Sequence, residues 1–270
     1  MPRLDGGALA AGGAFLIKPN CILITGASGS IGGALAREYA APGVTLLLHG
    51  RNQALLNTLA MECEQRGAHA RAFAFDVRDT ARLQAWARQI SAEMPLDLVI
   101  ANAGMNIDIG AQRQGERWED VEALLDTNVR AVLALVDAVL PRMRARRQGQ
   151  IALVSSLAAY FGLPPTPSYC ASKAAVKAYG EGLRGWLASE GIRVNVVMPG
   201  YVDSPMCEAM PGPKPFQLTA ARAARAIRRG LQRNQARISF PFPLNLGTWF
   251  LAVLPAGVSI RIVRWMGYGG

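Results

Sequence analysis

Histidine and cysteine are scarce in this sequence, and acidic residues run out before the chain ends. The histidines are His49 and His69, and the four cysteines, Cys21, Cys63, Cys170 and Cys207, are scattered with no CxxC pair. That leaves no cluster with metal-site spacing. Reduced, mostly structural thiols suit a cytosolic compartment. The opening MPRLDGGALAAGGAFLIK develops no long apolar core because Asp5 interrupts it, so residues 1–19 read as a flexible extension rather than a signal peptide. No internal repeat or low-complexity block occurs apart from a proline-rich bend at Pro211, Pro213 and Pro215. No Asp or Glu follows Glu208, and residues 201–270 carry nine Lys or Arg against two acids, in a chain of net charge +10. Nucleic acid, an anionic membrane surface and an anionic cofactor are all attracted to such charge, so the total does not choose among them. No nucleic-acid recognition motif accompanies it, which argues against nucleic acid as a partner.

What is present is a core. A chain of 270 residues, 51% of them hydrophobic, is ample for one large domain. The apolar runs CILIT, VTLLLH, ARAFAF, LDLVIA, QIALVS and RVNVVM are each followed by ten or more residues of mixed periodicity. That alternation predicts an α/β fold, a parallel sheet with helices on both faces. Strands buried on both sides read as continuous Val, Ile and Leu, as these do. Ligands of such sheets sit beyond the carboxyl ends of the strands.

The first strand runs into TGASGSIGGALARE, residues 25–38, within which a helix begins. Glycines there let the backbone turn sharply and approach a pyrophosphate, whose charge is favoured by the unpaired N–H groups of the helix start. A tight turn with helix-packing glycines is the plainer alternative. The second strand ends in LLLHGRN, with Gly50 and Arg51 where an acid for the ribose 2′-hydroxyl is usual. Arg51, with Asn52 beside it, suits a 2′-phosphate, which favours NADPH/NADP over NADH. A solvated arginine opening the next helix is the alternative.

With the motifs that follow, the chain resembles the short-chain dehydrogenase/reductase (SDR) family in its single-domain branch, over roughly residues 20–205. TGASGSIG is similar to the family's TGxxxGxG loop, Gly26, Ser28, Gly29, Ser30, Ile31 and Gly32 forming the cradle, except that Ser30 replaces the middle glycine. FDVRD resembles the adenine site, implying that the Asp76 carboxylate accepts from the exocyclic amine and that the Val77 amide reaches the ring. ANAG resembles NNAG, with Asn102, Ala103 and Gly104 lying close to the cofactor and Ala101 replacing the first asparagine. Asn128 in DTNVRAVLAL stands where the family has its catalytic asparagine; Ser156 precedes Tyr169 by the family's interval, and Lys173 follows in SYCASKAA. VMPGYVDSPM resembles the PG motif, placing Pro199, Gly200 and Val202 around the nicotinamide, with Ser204 offering a hydroxyl to a phosphate. The resemblance implies a Rossmann-type doubly wound sheet, residues 20–205 forming the dinucleotide-binding and catalytic core and 206–270 a lid and basic, apolar extension of the same domain. It also implies a homo-oligomer, dimer or tetramer.

Positions i and i+4 share a helix face, so Tyr169 and Lys173 reach one cleft. An adjacent ammonium, with the positive charge of an oxidised nicotinamide, is expected to lower the phenol's pKa, and Tyr169 then protonates a carbonyl receiving hydride. Ser156 holds that carbonyl oxygen. By resemblance Lys173 also binds the ribose hydroxyls, and Asn128 holds a water linking that lysine to solvent. Neither histidine is placed beside Ser156, so a hydrolase triad is poorly supported. The expectation is an oxidoreductase acting on a ketone or secondary alcohol, apolar or lipid-like; the alternative is a catalytically weak dinucleotide-binding scaffold or sensor at a membrane surface.

The tail leaves two readings open. TAARAARAIRRGLQRN resembles an amphipathic helix with Arg222, Arg225, Arg229 and Arg233 on one side, and the chain is almost wholly apolar from Pro241 to Ile260. Pro255 and Gly257 interrupt that run, so lying in a membrane interface fits better than crossing it. A pocket lid or subunit contact is the other reading. The expected location is cytoplasmic, or peripheral on the inner face of a membrane.

Overall fold

The computed structural model describes residues 19–110, 112–210 and 212–268. The expected N-terminal extension, but for its last residue, and Pro211 of the proline-rich bend lie outside the described residues. The chain alternates strand and helix as far as β6: β1 Cys21–Thr25, α1 Ser30–Tyr39, β2 Thr45–Gly50, α2 Gln53–Glu64, β3 His69–Ala74, α3 Thr80–Glu93, β4 Leu98–Ala101, α4 Trp118–Leu125, α5 Ala131–Arg146, β5 Gly149–Val154, α6 Pro167–Leu187 and β6 Ile192–Pro199. Then come α7 Pro205–Ala209, α8 Ala220–Gln232, β7 Arg237–Phe240, α9 Leu244–Val253 and α10 Ala256–Val263. The strands form one parallel sheet in the order β3-β2-β1-β4-β5-β6-β7.

The pleat explains why the strands are apolar throughout. Successive side chains point to opposite faces, and both faces are covered. In β1, Leu23 enters the layer it shares with Leu83 of α3, Leu135 of α5 and Val176 of α6. Its neighbours Ile22 and Ile24 enter the other, with Leu35 of α1, Leu56 of α2 and Ile227 of α8. The six apolar runs expected as strands are strands, and the sheet is the doubly wound one expected.

The seventh strand was not anticipated. RISF is short, alternates polar with apolar residues, and lies on the sheet edge beside β6. Its pairing means that the fold does not divide at residue 205, because a sheet strand and a covering helix come from beyond it. Helix α8 begins as its sequence suggests, with the Thr219 hydroxyl accepting from the Arg222 N–H at 3.3 Å. The basic residues Arg222, Arg225, Arg229 and Arg233 are exposed. Ala223, Ala224, Ile227 and Leu231, however, are buried in the layer shared with α1, and Arg228 donates to the Glu38 carbonyl at 2.9 Å and its carboxylate at 3.1 Å. Of the readings left open for the tail, α8 itself fits neither lid nor membrane contact through its apolar face, because that face is inside the protein. What remains for a lid is α7, the loop after it, and the α9–α10 hairpin.

Ile227 is fully buried. If α8 belongs to the core, Ile227→Ala lowers unfolding stability by about 2–5 kcal/mol, read from the urea midpoint at unchanged m-value; a loss under about 0.5 kcal/mol would place the helix outside the core.

Candidate active site

Strand order reverses at β1, which lies between β2 and β4. At such a switch point the loops after neighbouring strands diverge and leave a crevice at the carboxyl end. Asn102, just past β4, ties that end together. Its side-chain amide donates to the carbonyls of Thr25 at 3.0 Å and Gly26 at 3.2 Å, while the Thr25 hydroxyl accepts from the main chain of Asn102 and Ala103 at 3.1 and 3.2 Å.

Above this tie the phosphate loop turns. Gly26 has φ +67°, a left-handed conformation that favours glycine. A Cβ on Gly32 would sit 2.3 Å from the Gly26 carbonyl oxygen, so the loop can fold onto the helix only with glycine there. The serine at position 30 costs the loop no strain, because it is the first helical residue of α1 and Gly29 before it has φ −88°. Helix α1 starts with no side-chain cap and no acid in its first turn. Its unpaired N–H groups and positive dipole end are thus available to an anion.

One cavity of about 520 Å³ gathers most of the expected site. Gly26, Ser28, Gly29, Ser30 and Ile31 line it from the loop; Arg51, Asp76 and Val77 from the ends of β2 and β3; Asn102, Ala103 and Gly104 from the end of β4. Ser156, Tyr169 and Lys173, then Pro199, Gly200, Val202 and Ser204, complete that set. Gly32, Asn52 and Asn128 do not line it. Gly32 lies beneath the loop. Asn52 instead caps α2, its side chain accepting from the Leu55 N–H at 3.0 Å. Ser204 reaches the cavity, but its hydroxyl donates to the Val202 carbonyl and accepts from Cys207, each at 3.0 Å. The phosphate donor expected there is already engaged in capping α7.

At the end of β3, Asp76 is paired with Arg78. Asp76 accepts from the Arg78 guanidinium at 2.7 and 3.0 Å and from its main-chain N–H at 2.9 Å. The Arg78 hydrogen bonds first, and the charge of Arg51 least, hold its carboxyl below the usual range. His49 also lines this cavity. It stacks edge-on against Phe75 with ring centroids 4.2 Å apart, and burial pushes its imidazole down to about 4.

The catalytic constellation is set by α6 against β5. Pro167 occupies the first turn of α6. The Glu116 carboxylate accepts from the Ser168 N–H at 3.1 Å and from its hydroxyl, so an anion sits at the positive end of the helix. Neither Glu116 nor Ser172 was foreseen as part of the site. Tyr169 and Lys173 are both buried. The Lys173 ammonium donates to the Val154 carbonyl at 3.1 Å and lies 5.6 Å from the Tyr169 ring centre. Ser155, the neighbour of Ser156, is buried and donates to the Lys173 carbonyl at 2.7 Å.

The lowering of the tyrosine pKa, expected from the ammonium together with an oxidised nicotinamide, is not seen in the protein alone. Burial pushes the Tyr169 phenol up to about 12, with the adjacent Ser156 hydroxyl offsetting part of the rise. Burial also pulls Lys173 down to about 8. Desolvation disfavours the charged form of each.

Asn128 is fully buried in a π-helical turn, Asp126–Arg130, between α4 and α5. Such bulges gather at functional sites. Its side chain accepts from the Met105 N–H at 2.8 Å and donates to the Met105 carbonyl at 2.9 Å and to the Ser172 hydroxyl at 3.0 Å. Ser172 in turn donates to the Tyr169 carbonyl at 2.7 Å. Between Asn128 and Lys173 stands Gly104, whose Cβ, if it had one, would lie 3.2 Å from the asparagine Oδ1 and 3.3 Å from the lysine Nζ.

A family model described as short chain dehydrogenase matches residues 20–213. An uncharacterized oxidoreductase of Myxococcus xanthus (strain DK1622) is 36% identical over 234 residues, 86% of this chain and 92% of the relative. A ketoacyl reductase, HetN, of Nostoc sp. (strain PCC 7120) is 30% identical over 257 residues, 91% of this chain and 88% of the relative. The solved short-chain dehydrogenase from Sphingobium yanoikuyae in complex with NADPH superposes with a TM-score of 0.77 at 25% identity, covering 90% of this chain and 95% of that one.

Asn128→Ala strips both Met105 main-chain groups of their partners. A loss of about 1–3 kcal/mol per buried group left unpaired is expected, read as a lower urea midpoint. An unchanged midpoint would show that Asn128 does not organise this turn.

Proposed function

The chain belongs to the short-chain dehydrogenase family of NAD(P)-dependent oxidoreductases, and on that premise we propose that it is an NADPH-dependent carbonyl reductase acting on an apolar ketone. The observation that carries this reading is the convergence of Ser156, Tyr169 and Lys173 with the glycine loop in one cavity whose far wall is the apolar lid. When bound, the reduced nicotinamide supplies the hydride. The protein's own residues supply orientation, a proton and a place for charge.

Ser156 holds the substrate carbonyl oxygen by a hydrogen bond that strengthens as negative charge grows, so it stabilises the transition state more than the ground state. Tyr169 gives that oxygen its proton. A phenol at about 12 is protonated at neutral pH, the form a donor requires, and remains more acidic than an alcohol. Lys173, at about 8, is still mostly charged at neutrality and stabilises the phenolate that proton donation leaves behind. Asn128 fixes the Met105 turn, and its Oδ1 has a second lone pair for a water linking Lys173 to solvent, the path by which the Tyr169 phenolate regains its proton.

The choice of NADPH rests on Gly50 and Arg51. A Cβ at position 50 would lie 2.6 Å from the Ser28 hydroxyl, which crowds an acid at that place, while Arg51 offers a planar set of donors to a 2′-phosphate. The loop, uncapped helix start and cationic rim fit a pyrophosphate with an additional phosphate. The cavity-facing sides of α7, α9 and α10 serve as the substrate lid. Leu244, Leu251, Val263 and Met206 wall the cavity, and the Tyr201 and Tyr268 hydroxyls, 2.8 Å apart, fasten the lid to the loop after β6. Walls of that kind suit an aliphatic or acyl chain, and the name of the Nostoc relative points the same way.

Three measurements test this. In a screen of apolar ketones, Tyr169→Phe lowers NADPH turnover roughly 10²- to 10⁴-fold with NADPH affinity retained; turnover that survives removes Tyr169 as the donor. Reductive kcat/KM stays level up to a pH of about 8 and falls above it as Lys173 loses its charge; a rise there would show that reduction does not need the charged lysine. Arg51→Ala raises the KM for NADPH roughly ten- to hundred-fold and leaves that for NADH unchanged; equal effects on both would remove the phosphate contact.

A further inference from the structure

Helix α9, LNLGTWFLAV, carries no charged residue and, Asn245 and Thr248 apart, no polar side chain, with apolar residues on both sides. A helix of that kind is ordinarily buried on every side or immersed in lipid. This one is neither buried throughout nor long enough to span: among the described residues no helix is long and apolar enough to cross a membrane. Its two sides differ in what they meet. Leu244, Thr248 and Leu251 line the catalytic cavity. Leu246, Trp249, Phe250 and Val253, spaced i, i+3, i+4 and i+7 on one face, are exposed. The exposed apolar surface continues beyond this helix, with Phe242 just before it 77% exposed and Trp265 just after α10 87% exposed. The hairpin is not frayed, since the buried Ser259 hydroxyl of α10 donates to the Leu251 carbonyl at 2.8 Å.

Its charge indicates what covers this face. Arg261 and Arg264 are exposed beside Ile260 and Trp265, and no Asp or Glu occurs after Glu208. Aromatic and aliphatic side chains rimmed by arginine match the boundary between acyl chains and anionic head groups. A second copy of the chain matches less well. A two-fold contact through this face sets each patch against its own image, so the arginines meet arginines with no acid in the hairpin to pair with them.

We propose that the α9–α10 hairpin seats the protein on an anionic bilayer, in the interface plane, and that the same hairpin forms the wall between lipid and catalytic cavity. One helix, about 10–12 Å across, then separates the acyl-chain region from Leu244, Thr248 and Leu251. The substrate class follows, resting on the reductase reading above: a carbonyl compound that partitions into the bilayer and is taken from it. The seating itself does not depend on turnover, so the two claims fail separately.

Flotation of the full-length protein with phosphatidylcholine vesicles, and with vesicles containing phosphatidylglycerol, reads the seating directly. At low salt the protein is expected to float at least ten-fold more with the anionic vesicles, and high salt reverses this. Trp249→Ser with Trp265→Ser abolishes flotation, and Arg261→Gln with Arg264→Gln weakens it roughly five-fold per arginine. Both variants keep wild-type reduction of a short, water-soluble ketone, which also reports that they fold. Absence of flotation by the wild type, or flotation unaffected by either double variant, overturns the proposal. So does sedimentation in which the tryptophan variant alone falls to a smaller oligomer, since a second copy then covers the hairpin.

Discussion

A buried ammonium governs the arrangement of this site. Lys173 is taken out of water with the Val154 carbonyl as its hydrogen-bond acceptor, and desolvating such a charge costs several kcal/mol. Its pKa falls in consequence. The surrounding structure keeps it in place rather than relieving it. Ser155 holds the lysine's own carbonyl, and Ser172 holds that of Tyr169 one turn earlier. Glu116 anchors the start of the helix, and Asn128 links it through Ser172 to the main chain following β4. Each bond constrains the same thing, the rotation and depth of α6 against β5. Were α6 to turn, the ammonium would reach solvent, regain its ordinary basicity and leave the phenol.

That constraint depends on the sheet. Val154 is the last residue of β5, Gly104 follows β4, and Gly26 follows β1, so the three lie at one end of three neighbouring strands. Parallel pairing fixes their level, and Asn102 locks β1 to β4 where the order reverses. The glycines at this end are close approaches. Gly104 leaves room between Asn128 and Lys173, and Gly32 leaves room for the carbonyl of Gly26. A methyl group at Gly32 would push the loop off its helix, and one at Gly104 would shift the side-chain ends of Asn128 and Lys173 by a few tenths of an ångström.

Much of this was legible in the sequence because burial on both faces leaves an unmistakable trace. The six interior runs of Val, Ile and Leu are strands for that reason, whereas RISF, half polar and at an edge, has no such trace. The expected catalytic serine, tyrosine and lysine lie in one cavity because their spacing encodes a strand end and a helix face. What spacing does not encode is the dielectric. A lysine four residues from a tyrosine suggests a lowered phenol pKa; burial of both reverses the sign in the protein alone. Nor does it encode competing partners. Asn52, Ser204 and Asp76 are polar residues in expected places, yet α2, α7 and Arg78 engage them. Ser172 and Glu116 act through backbone groups of α6, contacts that leave no motif.

The tail shows why composition alone left two readings open. A helix with a basic and an apolar side is compatible with a core, a lid or a lipid surface, and only its neighbours decide. For α8 the neighbour is α1, so its apolar side completes the core and its arginines face water. For α9 no single neighbour accounts for the sequence, because apolar residues occupy both sides while the protein covers one. Lid and membrane contact were posed as alternatives on the assumption that a helix has one apolar face to assign. A helix with two can serve both. A hydrophobic substrate gains from that arrangement, since it need not enter water between the bilayer and the hydroxyls of Ser156 and Tyr169.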